Sequence, residues 1–313
     1  MKKVDLRQGK HFSATVMFLN KSLKQIPKSI YAYMNCYGLV NIFNYLENKK
    51  YLVKKFDICE GKKFDLRKYN NILLEKSIKQ CDYIFFLAFD VGGSRYIKEF
   101  QSSYKFSMNN LKIMVNTFDL LAKYKKPFLF ASSQMSNMSY SNYGLLKLLG
   151  ERISNQLNGN FVKFWNVYGI EKDLDKSHVI TDFILMALKY KKIKMLTTGK
   201  ESREFLHADD CSAGLEVIMK NHKQFKNQNN ELHLTTGKRI TILNIAKIIK
   251  KISKSKNLNI QIIEGKKKDT LQLNKKNKFN NYLNKFWKPK ISINLGIEDV
   301  YQYYQNNFNK MKK

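Results

Sequence analysis

Short apolar runs recur along the chain at intervals that leave room for a helix between them. They occupy residues 29–34, 51–57, 82–88, 127–131, 161–165 and 231–235. The runs at 82–88 and 127–131 are continuous, which is typical of strands that a parallel sheet buries on both faces. Residues 41–46 predict the first intervening helix. The pattern therefore predicts an α/β fold with a doubly wound, Rossmann-like parallel sheet that binds its ligands at the carboxyl ends of the strands.

The regular alternation starts at residue 28 and loosens after residue 165. Residues 1–27 do not fit it, and we expect them to be an N-terminal extension. Residues 28–165 are predicted to form a dinucleotide-binding domain, which gains a later strand near residues 229–237. Residues 166–313 would form mainly a smaller, C-terminal substrate-binding domain. A chain of 313 residues is long enough for this division.

Composition places the chain among globular proteins, with 43% hydrophobic residues. No apolar run approaches the roughly 20 residues that a membrane span requires. We therefore expect a cytoplasmic protein with no membrane partner. The four cysteines stand singly, without the paired spacing of a zinc site or a disulfide framework, so no metal site is predicted.

The formal net charge is +32, from 57 lysines and arginines against 25 acidic residues, and such a charge can indicate a nucleic-acid partner. The lysines, however, are spread along the whole chain. In residues 242–252, isoleucines form one helical stripe and lysines lie off it, as on a solvated helix face. No zinc, helix-turn-helix or RNA-binding signature accompanies the charge. We expect no specific nucleic-acid partner, and a basic nucleic-acid-binding module remains an alternative that salt-dependent binding would reveal.

The richest candidate chemistry follows the run at 127–131. That strand delivers Ser132 and Ser133 to its carboxyl end, and a predicted helix then carries Tyr143 and Lys147. A spacing of four places the tyrosine and the lysine on one helix face. A nearby ammonium and a serine hydrogen bond would lower the pKa of the phenol from about 10, which would make Tyr143 a usable acid and base. Ser133 is the candidate for that serine.

A degraded form of a dinucleotide-binding turn follows the first predicted strand. Three glycines would permit a tight turn and a close approach to pyrophosphate, but only Gly38 is present, with Asn35 and Asn41 at the outer positions. Asp57 closes the second strand, where an acidic residue can bind the adenosine ribose hydroxyls. This favours NAD over NADP, although Lys54 and Lys55 leave that preference open.

With these features together, the chain resembles the extended short-chain dehydrogenase/reductase family, in particular its nucleotide-sugar epimerases and dehydratases. The resemblance runs from about residue 28 to the C-terminus. The matching positions are Leu87, Ala88, Asn110, Ser132, Ser133, Tyr143, Lys147, residues 166–169, residues 203–210, Trp287 and Pro289.

The resemblance implies an NAD-dependent enzyme that acts on a nucleotide-diphosphate sugar. Ser133, Tyr143 and Lys147 would be catalytic, and Asn166 and Arg203 would bind the substrate. The cofactor residues that it implies are Asn35, Gly38, Asn41, Asp57, Asp65, Leu66, Leu87, Ala88 and Lys147. It also implies a homodimer through paired helices and a role in surface polysaccharide synthesis.

Two departures from the family pattern narrow the chemistry. Ser133 and Tyr143 are only 10 positions apart, whereas the family usually has a longer insertion between these residues, so the loop at the edge of the site must be shorter. Ser132 or Ser136 could replace Ser133. In similar sugar dehydratases an Asp–Glu pair follows the catalytic hydroxyl residue, whereas this chain has Gln134 and Met135, which cannot exchange a proton near pH 7. The sequence therefore favours an epimerase, with a keto-sugar reductase and a non-catalytic relative that binds nucleotide sugar as alternatives.

Overall fold

The structure is a computed structural model that describes residues 15–20, 40–138, 140–171, 174, 177–225, 231–267 and 278–308. Its strands are β1 (Thr15–Asn20), β2 (Leu52–Asp57), β3 (Tyr83–Phe86), β4 (Phe128–Ser133), β5 (Asn160–Phe164), β6 (Asn166–Tyr168), β7 (Lys192–Lys194), β8 (Ser202–His207), β9 (Leu232–Leu234), β10 (Arg239–Thr241) and β11 (Gln261–Ile263). Its helices are α1 (Val40–Asn48), α2 (Ile72–Gln80), α3 (Ser94–Phe100), α4 (Tyr104–Tyr124), α5 (Asn142–Gln156), α6 (Val179–Tyr190), α7 (Ala208–Lys220), α8 (Ile242–Ser255) and α9 (Ile293–Asn307).

A six-stranded sheet in the order β2-β1-β3-β4-β5-β9 forms the centre of the larger part of the molecule. β3, β4, β5 and β9 are parallel neighbours, as the apolar runs predict. The carboxyl ends of these strands therefore meet at one edge of the sheet. The predicted α/β fold class is confirmed, and β9 is the later strand expected near residues 229–237.

β1 departs from the prediction for the N-terminal region. Residues 15–20 were expected to lie in an extension outside the sheet, but they pair antiparallel with both β2 and β3. That part of the expectation is wrong. A four-residue apolar run can form a central strand where a strand on each side pairs with it through backbone hydrogen bonds. The run at residues 29–34, expected to be the first strand, lies outside the described residues.

Each face of the sheet is covered by its own apolar core. Phe85, Leu87 and Leu129 point to one side, where they pack with α1 and α7. Ile84 and Phe130, on the other side, pack with α2, α4 and α5. This alternation follows from the period of two along a strand, and it explains why β3 and the first four residues of β4 contain no polar position.

A third core joins α6, α8 and α9 around Ile193, Ile245 and Tyr304. Next to it lies a three-stranded sheet in the order β10-β8-β6. The isoleucine stripe of α8 is buried while Lys247 and Lys250 are exposed, so the lysines form the solvated face that the sequence predicts. This third core belongs to the region expected to bind substrate, although the domain boundaries themselves stay a prediction.

None of the described helices combines the length and the apolar character needed to cross a membrane. Within the same described residues, no three His, Cys, Asp or Glu side chains come together in a group that could hold a metal ion. Cys81 and Cys211 are both buried as free thiols.

Candidate active site

The connection between β4 and α5 brings a serine and a tyrosine together. β4 is buried along its whole length and ends at Ser133, whose Oγ accepts a hydrogen bond from the backbone N–H of Met135 at 3.1 Å. α5 is capped by Ser141, which accepts from the N–H of Gly144 at 3.1 Å. A Cβ at Gly144 would lie 2.2 Å from the carbonyl oxygen of Met135. Glycine is therefore required for the first turn of α5 to lie this close to the end of β4.

Tyr143 lies in that first turn, with 8% of its surface exposed. Burial raises the pKa of Tyr143 to about 12, and a hydrogen bond with Ser133 opposes this rise without cancelling it. The phenol is therefore protonated at neutral pH. In this state it can donate a proton to a neighbouring oxygen but cannot yet accept one.

Lys147 lies one turn further along α5 and is 3% exposed. Its Nζ donates to the carbonyl oxygen of Ala131 at 2.6 Å and lies 3.7 Å from the ring centroid of Phe89. Burial lowers the pKa of Lys147 to about 7, against the opposing effect of the Glu151 carboxylate. The lysine is thus close to half protonated at neutral pH.

These two pKa values correct one expectation from the sequence. The spacing of four does place Tyr143 and Lys147 together, but the ammonium does not lower the pKa of the phenol in this structure. The ammonium lies 5.8 Å from the Tyr143 ring centroid and is directed at the Ala131 carbonyl. Desolvation dominates both groups because the apolar core disfavours the charged form of each.

Ser132, the alternative to Ser133, is engaged elsewhere. Its hydroxyl donates to the buried carboxylate of Glu151, which lies 3.6 Å from the Nζ of Lys163. Lys163 also donates to Asn137 at 2.9 Å and to Glu231 at 2.5 Å. This buried polar network was not predicted from the sequence, and it holds Ser132 at the end of β4. Ser133 is therefore the serine that hydrogen-bonds Tyr143.

The predicted dinucleotide turn is described only in part. Asn35 and Gly38 lie outside the described residues. The backbone of Asn41 is part of α1, but its side chain is outside the described part of the structure. Their assignment to the cofactor stays a prediction.

Three of the predicted cofactor residues lie at or just beyond the carboxyl ends of β2 and β3, the two strands on either side of β1. Asp57 is the last residue of β2 and is fully buried. Leu87 and Ala88 directly follow β3 and are also buried. The fold therefore brings these positions to one edge, as the parallel arrangement predicts.

Asp65 and Leu66 lie nearby, before α2. Burial alone would raise the pKa of Asp65, but hydrogen bonds from Arg67 outweigh it and lower the pKa. Arg67 donates to the Asp65 carboxylate from Nε at 2.8 Å and from a terminal nitrogen at 2.7 Å. It also reaches Asn109, which donates to Asp90 at 2.9 Å. This chain of contacts ties the Asp65 loop to the segment that follows β3.

The described residues fit a nicotinamide dinucleotide at this edge. A lysine ammonium has three N–H donors, yet within the described part of the chain the Ala131 carbonyl is the one hydrogen-bond acceptor of Lys147. A buried cation with unused donors beside a phenol suits a ligand rich in hydroxyl groups, and Asp57 adds a carboxylate at the same edge of the sheet. The fit rests on Lys147, Tyr143 and Asp57.

A cavity of about 180 Å³ lies between α3 and the third core. Asn166 and Arg203, the predicted substrate residues, both line it. Asn166 donates from Nδ2 to the carbonyl oxygen of Glu204 at 3.3 Å, so β6 and β8 position the two side chains. The structure thus brings together two residues that are far apart in the sequence.

A histidine–glutamate pair at this cavity was missed by the sequence analysis. His178 lines the cavity, and its Nδ1 lies 2.5 Å from Oε1 of Glu171, a carboxylate with 3% side-chain exposure. Burial alone would lower the pKa of His178, but Glu171 outweighs it and raises the pKa. The imidazole is therefore more cationic than a free histidine at neutral pH. No short sequence motif predicts the pairing of His178 with Glu171.

An ion pair crosses the mouth of the same cavity. Arg95 on α3 contacts both carboxylate oxygens of Asp182 on α6, at 2.9 and 3.1 Å. Ser177 also donates to this carboxylate. The pair links the segment after β3 with the wall of the cavity, and its partners lie 87 positions apart in the chain.

Known proteins are similar to this chain in sequence and in fold. GDP-L-fucose synthase of Sinorhizobium fredii is 25% identical over 178 residues, which cover 53% of this chain and 54% of that protein. The chain spans about half the length, or less, of the curated relatives that it matches.

Two solved structures share the fold. An epimerase of Methanothermobacter thermautotrophicus has a TM-score of 0.66 at 17% identity and covers 79% of each chain. UDP-glucuronic acid 4-epimerase of Bacillus cereus, solved with UDP-glucuronic acid and NAD, has a TM-score of 0.63 at 19% identity, with coverage of 77% of this chain and 80% of that one.

The model of the NAD dependent epimerase/dehydratase family matches residues 41–232, more than half of the chain. The match begins within α1 and includes β4, α5 and every lining residue of the cavity except Ile242. With Ser133, Tyr143 and Lys147 brought together at the carboxyl end of a parallel strand, the chain belongs to the NAD-dependent epimerase/dehydratase family of enzymes.

Proposed function

We propose that this enzyme is a nucleotide-sugar epimerase that oxidises a sugar carbon and then reduces it again from the other face. The observation that carries the proposal is the placement of Tyr143 beside Ser133, with Lys147 one turn away, at the end of β4. A single tyrosine can serve both halves of such a reaction. It takes the hydroxyl proton during oxidation and returns it during reduction.

NAD, when bound, supplies the hydride chemistry. Lys147 would hold the cofactor ribose with the donors that Ala131 leaves unused, and Asp57 would meet the adenosine ribose. Ser133 would hydrogen-bond the reacting sugar oxygen and orient it toward Tyr143. Because burial raises the pKa of Tyr143 to about 12, the oxidation half requires the Lys147 ammonium to come closer to the phenol than it lies in this structure.

The residues that line the cavity suit the nucleotide diphosphate part of the substrate. The planar guanidinium of Arg203 can donate two parallel hydrogen bonds to phosphate oxygens, and the imidazolium of His178 adds a second positive charge. Leu196 lines the same cavity with 69% of its surface exposed, so it offers an apolar face to a base. These features favour a substrate with both an anionic and a flat apolar part.

Water elimination is disfavoured by the residues after Ser133. Gln134 and Met135 are both buried there, and neither can act as the acid or base of a dehydratase. Epimerisation and simple reduction of a keto-sugar need only the tyrosine and the cofactor, so one experiment must separate them.

The test incubates the purified protein with NAD and a panel of UDP-, GDP- and dTDP-hexoses. An epimerase produces the epimer with no net NADH, whereas a reductase, run in reverse with these reagents, forms the keto-sugar and one NADH for each product molecule. Tyr143→Phe should lower kcat by about 100-fold or more while it leaves nucleotide-sugar affinity within about twofold. Tyr140→Phe, which alters an exposed phenol three positions away, is the matched control.

The results of these assays distinguish the catalytic hypothesis from the non-catalytic one. Full activity of Tyr143→Phe would remove Tyr143 from the mechanism. Binding of nucleotide sugar without turnover by the unaltered protein would support the non-catalytic relative instead.

The same proposal includes a cytoplasmic homodimer that serves surface polysaccharide synthesis, as the family resemblance implies. Leu145 and Leu149 lie one turn apart on α5 and are 45% and 42% exposed, and Val115 on α4 is 52% exposed. An apolar face on these two helices suits a second copy of the chain. Leu149→Glu should convert the dimer to a monomer in sedimentation velocity, and an unchanged sedimentation coefficient would refute this interface.

A further inference from the structure

Phe89 stands where the apolar core meets the candidate active site. It directly follows Ala88, is 2% exposed, and packs its ring against Tyr143 with centroids 5.7 Å apart and planes at 79°. The Lys147 ammonium lies 3.7 Å from its centroid, closer than to the rings of Phe130, at 5.0 Å, or Tyr143, at 5.8 Å. Phe89 therefore contacts both members of the tyrosine–lysine pair.

We propose that Phe89 is a positioning residue for Lys147: its ring face, with the carbonyl of Ala131, keeps the lysine charged inside the core and ready for the cofactor. This inference rests on the role of Lys147 under the proposed function. It concerns a residue whose side chain would touch neither the sugar nor a phosphate.

The physical reason is that a buried ammonium loses its hydration and needs compensation. The face of an aromatic ring carries partial negative charge and attracts a cation at this distance. The carbonyl of Ala131 supplies one hydrogen bond. A leucine at position 89 would fill most of the same volume but would provide no such charge, so the lysine would lose its proton more readily.

Within the described residues, two other titratable groups near Lys147 lie on its own helix. On α5, Tyr143 lies one turn before it and Glu151 one turn after it, and Glu151 favours the charged lysine. Glu151 is itself shared with Lys163 on β5, at 3.6 Å. Its carboxylate is therefore only a partial counter-ion for Lys147, and the ring of Phe89 remains important.

The first experiment measures the titration of Lys147 in the protein without cofactor. Lysine labelled with carbon-13 at Cε is followed by NMR from pH 5.5 to 9, where ordinary lysines, with a pKa near 10.4, stay protonated. The signal that titrates at about pH 7 is assigned through its loss in Lys147→Met. Phe89→Leu should raise the acid dissociation constant of Lys147 about tenfold, whereas Phe89→Tyr should restore the wild-type titration.

Phe106→Leu is the matched control, since Phe106 is equally buried in the same core but is not one of the rings around Lys147. It should leave the titration unchanged. Phe89→Met replaces Phe89→Leu if the latter does not fold. An unchanged titration in a folded variant without the ring would overturn the inference.

The second experiment measures NADH affinity by fluorescence at two pH values. If the charged lysine binds the ribose, Phe89→Leu should bind NADH about five- to tenfold more weakly at pH 7.5 and within about twofold of wild type at pH 5.5. An equal weakening at both pH values would indicate mere damage to the pocket and would overturn the inference. A shifted titration in a protein that never binds NADH would uphold the effect of Phe89 on Lys147 and refute the proposed function instead.

Discussion

Replacement of Lys147 by methionine should stabilise the protein although it removes a candidate catalytic group. The folded state holds Lys147 in an apolar core, where its pKa falls from 10.5 to about 7. The unfolded chain has no such burial, so it binds the lysine proton more tightly than the folded chain does. Between these two pKa values the unfolded state carries more protons, and the free energy of unfolding therefore rises with pH.

The size of the effect follows from the two pKa values. Burial of the lysine costs roughly 4 kcal/mol at pH 7 and roughly 2 kcal/mol at pH 9. Lys147→Met removes this cost, but it also removes the hydrogen bond to Ala131 and the contact with Phe89, which together contribute roughly 1–2 kcal/mol. We expect a net gain of roughly 3 kcal/mol at pH 7 that shrinks to roughly 1 kcal/mol by pH 9.

Urea denaturation followed by circular dichroism at pH 6, 7, 8 and 9 would measure the gain. Lys112→Met, at an exposed position of α4, is the control and should change the unfolding free energy by less than about 0.5 kcal/mol at every pH. A variant less stable than the wild type throughout would refute the reasoning. So would a gain that does not change with pH.

Two further predictions concern the connection to α5 and the cavity. Gly144→Ala should lower the free energy of unfolding by roughly 1–3 kcal/mol, since its Cβ would lie 2.2 Å from the Met135 carbonyl oxygen, and an unchanged denaturation midpoint would contradict this close contact. Because Glu171 raises the pKa of His178, the affinity for UDP or GDP should fall as pH rises through that pKa. Calorimetry at pH 6 and 8.5 should show this fall in the wild type but not in His178→Gln, and equal slopes in both proteins would exclude His178 as the titrating group.

Much of the fold could be predicted from the sequence because buried strands are marked locally. β3 and the first four residues of β4 are apolar throughout and buried, whereas the runs that became β2, β5 and β9 are mainly apolar but include lysine or histidine. The strand at residues 15–20 escaped this reasoning. Its run is equally apolar, but the pattern of helix-length intervals did not include it.

The chemical groups of the site can be read from the sequence: Ser133 at a strand end, Tyr143 and Lys147 one turn apart, and no acid–base pair after the serine. How these groups behave depends on the folded structure. It placed Phe89 against the ammonium, buried both Tyr143 and Lys147, and joined Arg95 to a partner 87 positions away. The reason is that a pKa or an ion pair depends on desolvation and on neighbours that distant parts of the chain supply, and no local spacing encodes them.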